Sequence, residues 1–144
     1  MIESCDSNIL FAVLHADAPG HAQARAYLDA QQHNEEYRIC ELVLMEVYGL
    51  LRNPKVVDQP LSPAKAVQAI QALRAQPYWL TIDYPGDFMN QIWDLAAQNQ
   101  FPRTSIFDAR LALTLRHHGV TRFATRNTKH FAHYGFTEVF DPTA

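Results

Sequence analysis

The chain has 144 residues, 48% of them hydrophobic and 19% charged, which is the composition expected of a soluble globular protein able to bury a core without staples. No apolar run approaches the roughly 18 residues that a helical membrane span needs, so no bilayer crossing is expected. A net charge of −3 argues against a protein that coats polyanions, yet it leaves room for a local basic rim.

In chain order, Ile2–Cys5 reads as a strand, although Glu3 and Ser4 are unusual residues for a buried one. Asp6-Ser7-Asn8 then starts a helix carrying Ile9, Leu10, Val13 and Leu14. A second helix is predicted from Pro19 to about Gln31, with Ala22, Ala26, Tyr27 and Ala30 on one side. Tyr37–Cys40 is a short strand, and Glu41–Leu51 a helix stopped by Asn53-Pro54. Ser62-Pro63 caps and opens a helix with Ala66, Val67, Ile70 and Leu73 inward. Tyr78–Ile82 reads as a strand, and Pro85 opens a helix with Phe88, Ile92, Trp93 and Ala96. Ser105–His118 is a helix ended by Gly119, its two terminal histidines suiting the negative end of the dipole. Arg122–Thr125 and Glu138–Phe140 complete the strands.

Strands alternating with helices predict an α/β fold, a central mostly parallel sheet of about five strands covered on both faces. No repeat, linker or low-complexity tract interrupts it, so residues 1–144 are expected to form a single domain. The start of the chain lacks a basic segment ahead of an apolar one, so no signal peptide is expected. Cys5 and Cys40 are expected to be buried free thiols, which points to the cytoplasm.

Acidic residues supply the chemistry. Asp6 falls at the carboxyl end of the first strand, where parallel α/β sheets bind ligands. Glu46 lies one turn from Leu42 and Leu50 and three residues from Val43 and Gly49, on or beside the apolar stripe of its helix. Asp108 aligns with Leu111, Ala112 and Leu115. An ionised carboxylate facing a core is costly unless something positive compensates it. Each acid also has a plain structural alternative: Asp6 as a helix cap, Glu46 reaching solvent from the stripe's edge, Asp108 in a capping box with Ser105. If the three meet, they repel one another without a cation, and all-oxygen ligation suits Mg²⁺ or Mn²⁺.

Four segments in this order resemble the PIN-domain family, and within it the VapC-like toxins of bacterial toxin–antitoxin pairs. They are Cys5-Asp6-Ser7-Asn8-Ile9-Leu10, Leu42-Val43-Leu44-Met45-Glu46-Val47-Tyr48-Gly49-Leu50-Leu51, Phe107-Asp108-Ala109-Arg110-Leu111-Ala112 and Ala124-Thr125-Arg126-Asn127-Thr128-Lys129-His130-Phe131. The resemblance implies a three-layer α/β/α fold and metal-dependent hydrolysis of RNA phosphodiester bonds. It implies Asp6, Glu46 and Asp108 as metal-binding catalytic residues, with Asn127 as a supporting ligand in a fourth position, where some relatives carry aspartate and similar toxins also asparagine. The neutral Asn127 implies one tightly held ion rather than two. Ser7 and Asn8 stand as supporting residues, Ser7 orienting Asp6 or a water. A small antitoxin with a basic side chain for the acidic pocket, and a homodimer, are implied partners.

Arg110, Arg126 and Lys129 lie near these acids in sequence and are candidates for RNA-phosphate contacts, with solvated surface charge as the alternative. His130 and His133 read as surface histidines rather than a metal pair. Trp79 and Trp93 read as core, and Asp83, Asp87 and Asp94 as surface carboxylates. A haloacid dehalogenase-type phosphatase would need an aspartate at position 8, which is Asn. A phospho-receiver leaves Glu46 unexplained. The serious rival is a PIN-like module that binds RNA or protein without cutting, and Asn127 favours it.

Overall fold

The strand–helix alternation is realised in the computed structural model, which describes residues 1–144. The elements are β1 (Glu3–Cys5), α1 (Ser7–Leu14), α2 (His21–Ala30), β2 (Tyr37–Cys40), α3 (Glu41–Leu51), α4 (Pro63–Arg74), β3 (Leu80–Ile82), α5 (Met89–Ala96), α6 (Ile106–His117), β4 (Arg122–Ala124), α7 (Thr128–Phe131) and β5 (Glu138–Phe140). A short 3-10 turn, Arg103–Ser105, leads into α6.

The five strands lie in the order β3-β2-β1-β4-β5, and every pairing is parallel. The sheet is therefore wholly parallel where the sequence predicted mostly parallel. From β1 the chain first builds outward through β2 and β3, then returns to lay β4 and β5 on the other side. This reversal at β1 opens a crevice beyond the carboxyl ends of β1 and β4, where ligands bind in such sheets. The core around it includes Ile9, Leu10, Tyr37, Ile39, Val43, Val47, Leu115 and Phe123, each at most 1% exposed.

Central β1 resolves the oddity of its sequence. Glu3 is 2% exposed, and its carboxylate takes Arg122 Nη1 at 2.6 Å and the Tyr27 hydroxyl at 2.5 Å. Arg122 also donates Nε to Glu138 at 2.8 Å. A charged residue enters the sheet because its counter-charge stands on the neighbouring strand. The hydroxyl of Ser4 is buried without a partner.

Several helical faces differ from expectation. In α2 the buried residues are Ala24 and Leu28, with Tyr27 half-buried, while Ala22, Ala26 and Ala30 face solvent. Alanine counts as apolar but buries little area, so the single leucine and tyrosine orient the helix. In α3 the buried stripe is Val43, Leu44, Val47 and Leu51; Leu42 and Leu50 are half-buried and Gly49 is exposed. Glu46 therefore stands at the border of that stripe. Val67 of α4 is largely exposed, and so is Trp93 of α5, which corrects the reading of that tryptophan as core. Trp79 is part-buried, its ring packed at a tilt against Tyr37 and its Nε1 donating to the Gln31 carbonyl at 2.8 Å. The helix expected from Pro85 starts at Met89, a turn at Pro85–Phe88 preceding it.

Local rules explain the other boundaries. Ser62 accepts from Lys65 N at 3.2 Å, and Pro63 opens α4. Gly119, at φ +80°, ends α6 in the left-handed conformation. Asp83, Asp87 and Asp94 are exposed. Cys5 and Cys40 are free and buried, and burial pushes their thiols up to about 12 and about 11, far from reactive thiolates.

Candidate active site

The carboxyl end of β1 delivers Asp6 into the crevice. Its backbone N–H still bonds to Ala124 across the sheet at 2.9 Å, while its φ/ψ of −81°/165° makes it the cap of α1. Oδ1 accepts from Ser7 N at 2.8 Å and Oδ2 from Thr125 Oγ1 at 2.7 Å. Thr125 directly follows β4 and is fully buried. Its hydroxyl also accepts from Asn127 N at 3.0 Å. The Asp6 carboxylate is thus clamped between the exits of the two switch-point strands.

Ser7 carries the contact onward. Its hydroxyl lies 3.0 Å from Glu46 Oε2 and 3.4 Å from Asp6 Oδ1. One hydroxyl proton serves one acceptor at a time, and the shorter distance assigns it to Glu46. Glu46 comes from the middle of α3, so two acids 40 positions apart in sequence are joined through one serine. Asp108, in the first turn of α6, keeps a third of its side chain exposed, with His130 Nδ1 at 3.3 Å from Oδ2. Ser105 makes no capping bond, so the capping-box alternative for Asp108 does not hold.

Electrostatics ties the three acids together. Burial raises the Asp6 pKa above the ordinary aspartate value; the bonds from Thr125 and Ser7 oppose this, and the charge of Asp108 adds to it. Glu46 is raised as well, chiefly by desolvation of its carboxyl, and the charges of Asp6 and Asp108 add while Ser7 opposes. No lysine or arginine forms an ion pair with any of the three. The donor set is anionic and all oxygen, which fits a hard divalent cation. In this conformation no three His, Cys, Asp or Glu side chains are gathered tightly enough to hold an ion. Glu46 and Asp108 are the solvent-facing members of the three.

The remaining predicted residues fall around this pocket in different ways. Asn127 is exposed, just before α7, its backbone held by Thr125. Asn8 accepts from Arg126 N at 3.2 Å and so stitches α1 to the β4 exit. The Arg126 guanidinium instead donates to the Pro19 carbonyl. It crowds Gly20, where an added Cβ would lie 2.4 Å from Nη2 and where φ is +76°, so glycine is required there. Arg110 stacks over Tyr84 at 4.4 Å. Nearness in sequence therefore does not aim these two arginines at the acids. Lys129 is exposed on α7. His133 stacks on Tyr134, and His130 faces Asp108. Thr125 and the contact of His130 with Asp108 escaped the sequence reading. The hydroxyl at a strand exit became meaningful only once β4 was known to lie beside β1.

A parallel sheet reversing at β1, with acids from three elements near the reversal, places the chain in the class of α/β proteins whose ligand crevice lies beyond the carboxyl ends of the strands. The sequence profile of the PIN domain matches residues 5–137. Ribonuclease VapC24 of Mycobacterium tuberculosis is 46% identical over 139 residues, covering 96% of this chain and 95% of the relative. The chain belongs to the PIN-domain family, in its VapC-like branch. Solved structures agree on the fold. VapC20 of M. tuberculosis, described as a sarcin-ricin loop cleaving toxin, superposes with a TM-score of 0.70 at 18% identity, covering 93% of this chain and 95% of that one. FitAcB from Neisseria gonorrhoeae gives 0.61 at 20% identity over 97% of both chains. FitAB bound to an IR36 DNA fragment gives 0.65 at 19% identity, over 99% of this chain and 96% of that one.

Proposed function

We propose that this protein is an endoribonuclease that hydrolyses RNA phosphodiester bonds with Mg²⁺ or Mn²⁺ held by Asp6, Glu46 and Asp108, acting as the toxin of a toxin–antitoxin pair. The carrying observation is that Asp6 at the exit of β1, Glu46 of α3 and Asp108 of α6 lie near enough for their charges to act on one another, with no lysine or arginine paired to any of them. The ribonuclease name of the 46% identical relative supports the substrate class.

When bound, a divalent ion neutralises phosphoryl oxygens and makes a coordinated water more acidic. The chain's own residues do the rest. Asp6 is fixed by Thr125 and by Ser7 N, so a ligand oxygen sits ready at the crevice floor. Ser7 orients Glu46, and His130 restrains Asp108. Asp6, Glu46 and Asp108 would repel a phosphodiester unless a divalent ion offset their charge. Asn127 adds no charge, which favours one tight ion, and its amide can hold a water. Lys129 stands at the rim for RNA phosphate, whereas Arg110 and Arg126 would first have to leave Tyr84 and Pro19.

The partners follow the same reading: a small antitoxin that inserts a basic side chain among the acids, and a second copy of this chain. The groove between α3 and α4, with Met45 and Val67 exposed along it, supports a protein partner. No helix is long and apolar enough to cross a membrane, and a cytoplasmic location fits the free thiols.

Cleavage of RNA with and without chelator, comparing wild type with Asp6→Asn and Glu46→Gln, tests the assignment; normal cutting by both variants would refute it. Asn127 keeps the non-cutting module as a second reading. The nuclease should gain about 2.7 kcal/mol from Mn²⁺ at a hundredfold excess over Kd, seen as a rise in Tm. No rise up to millimolar Mn²⁺ favours the module.

A further inference from the structure

Beside the acids lies a cleft of about 400 Å³ between the turn after α5, the start of α6 and the segment after α7. That is within the range of small-ligand sites. Gln98, Gln100, Phe101, Ser105, His133 and Tyr134 line it, and no lysine, arginine, aspartate or glutamate does. The rings of His133 and Tyr134 are stacked, 4.5 Å apart and 29° from parallel, and Phe101 adds a third ring to the walls. The two glutamine amides and the Ser105 hydroxyl bring both donors and acceptors.

The cleft adjoins Asp108. Ser105 stands one turn before Asp108, and His133 one turn after the His130 that contacts Asp108. The charge of Asp108 reaches the half-buried Tyr134 hydroxyl and, after burial, helps raise its pKa. A phosphate would find no lysine or arginine here and the Asp108 carboxylate close by. A neutral heteroaromatic ring would find faces to stack on and amides for its edge, the combination by which proteins hold unpaired bases.

We propose that this cleft binds one unstacked nucleobase of a single-stranded RNA next to the bond being cut, and so sets base preference at one position. The inference rests on the ribonuclease reading, but it can fail separately.

Two measurements decide it. In the first, amide chemical shifts are followed while each of the four uncharged ribonucleosides is added to the full chain without divalent ions. Shifts at residues 98–101 and 133–134 are expected; shifts confined to other surfaces overturn the cleft, including the case where it receives an aromatic side chain of a protein partner. In the second, a pool of randomised single-stranded RNA is cut with Mn²⁺ and the ends are sequenced. Wild type should favour particular bases at one fixed distance from the cut. Tyr134→Leu and Gln98→Ala should each reduce that preference, by about tenfold for the lost ring, while the Mn²⁺-induced rise in Tm stays as in wild type. Base preference unchanged in both variants overturns the proposal. A wild type that cuts no RNA refutes the ribonuclease reading instead, and the shift map then judges the cleft alone.

Discussion

Glu3 and Asp6 stand at opposite ends of the same central strand, and both are nearly buried, at 2% and 5% exposure. At the amino end, Glu3 has Arg122 at 2.6 Å and the Tyr27 hydroxyl at 2.5 Å. At the carboxyl end, Asp6 has only neutral donors from Thr125 and Ser7, with Glu46 and Asp108 as like-charged neighbours. The first acid carries its counter-charge within the fold and is structural. The second is held in place while its charge is left unanswered. Burial alone therefore says little about role; whether the chain supplies the opposite charge separates the two.

The largest expected effect breaks the unanswered end. Asp6→Asn should lower RNA cleavage at least about 100-fold, since even partners behind metal ligands cost 10–100-fold. Its stability without metal should stay within about 1 kcal/mol of wild type: one acceptor oxygen remains, one hydrogen bond is lost and like-charge repulsion is relieved. Next comes the answered end. Glu3→Ala leaves Arg122 unpaired on one side, but that guanidinium is one-third exposed and keeps Glu138. The loss should fall to about 2–3 kcal/mol, below that of a fully buried pair, and is read as a lower denaturation midpoint at unchanged slope. Cleavage per folded molecule should be unaltered. If Glu3→Ala abolished cleavage and Asp6→Asn only lowered stability, the contrast between the two ends would be reversed.

Thr125 sharpens the comparison at smaller scale. Thr125→Val removes the bond to Asp6 Oδ2 and strands the Asn127 N–H, costing about 1–3 kcal/mol. Cleavage should fall about tenfold through a loosened Asp6. Thr125→Ser, which retains the hydroxyl, should restore most of the cleavage even where packing is not recovered. Equal cleavage by the two variants would make Thr125 a packing residue only.

How far these two ends were legible in the sequence differs for physical reasons. Asp6, Glu46 and Asp108 were visible because acids at a strand exit and along apolar helix faces violate local patterning. Glu3 violates it equally, yet its remedy, Arg122, lies 119 residues away, and no local pattern reveals a partner that only β1–β4 pairing brings near. Thr125 was invisible for the same cause. The alternation of strands and helices was readable because it depends on local periodicity. On α2 the alanines mark an apolar side without burying enough area to make it the inner face, and Trp93, read as core, shows that an aromatic ring can lie at a helix's solvent edge. Arg110 and Arg126 show the limit of proximity in sequence, since Tyr84 and Pro19 claim them.

The smallest effect is in pH. The folded pKa of Asp6 lies above the ordinary 3.8, and that of Glu46 above the ordinary 4.5, both chiefly through desolvation. The folded state therefore holds these protons more tightly than the unfolded chain does. Their contribution to metal-free stability is most favourable below the unfolded values and declines as pH rises through the folded ones. Glu46 is exposed enough for solvent to screen much of its share, so Asp6 should dominate. Asp6→Asn should flatten this decline, measured as Tm against pH with chelator present. Mn²⁺ should act in the opposite sense: it binds ionised carboxylates and releases their protons, so its stabilisation grows with pH across the same window and vanishes on the acid side. Glu3, which no cation is expected to visit, should leave the Mn²⁺-dependent profile unchanged when replaced by alanine. If the Mn²⁺ profile followed Glu3 instead of Asp6, the cation would belong at the amino end of the sheet.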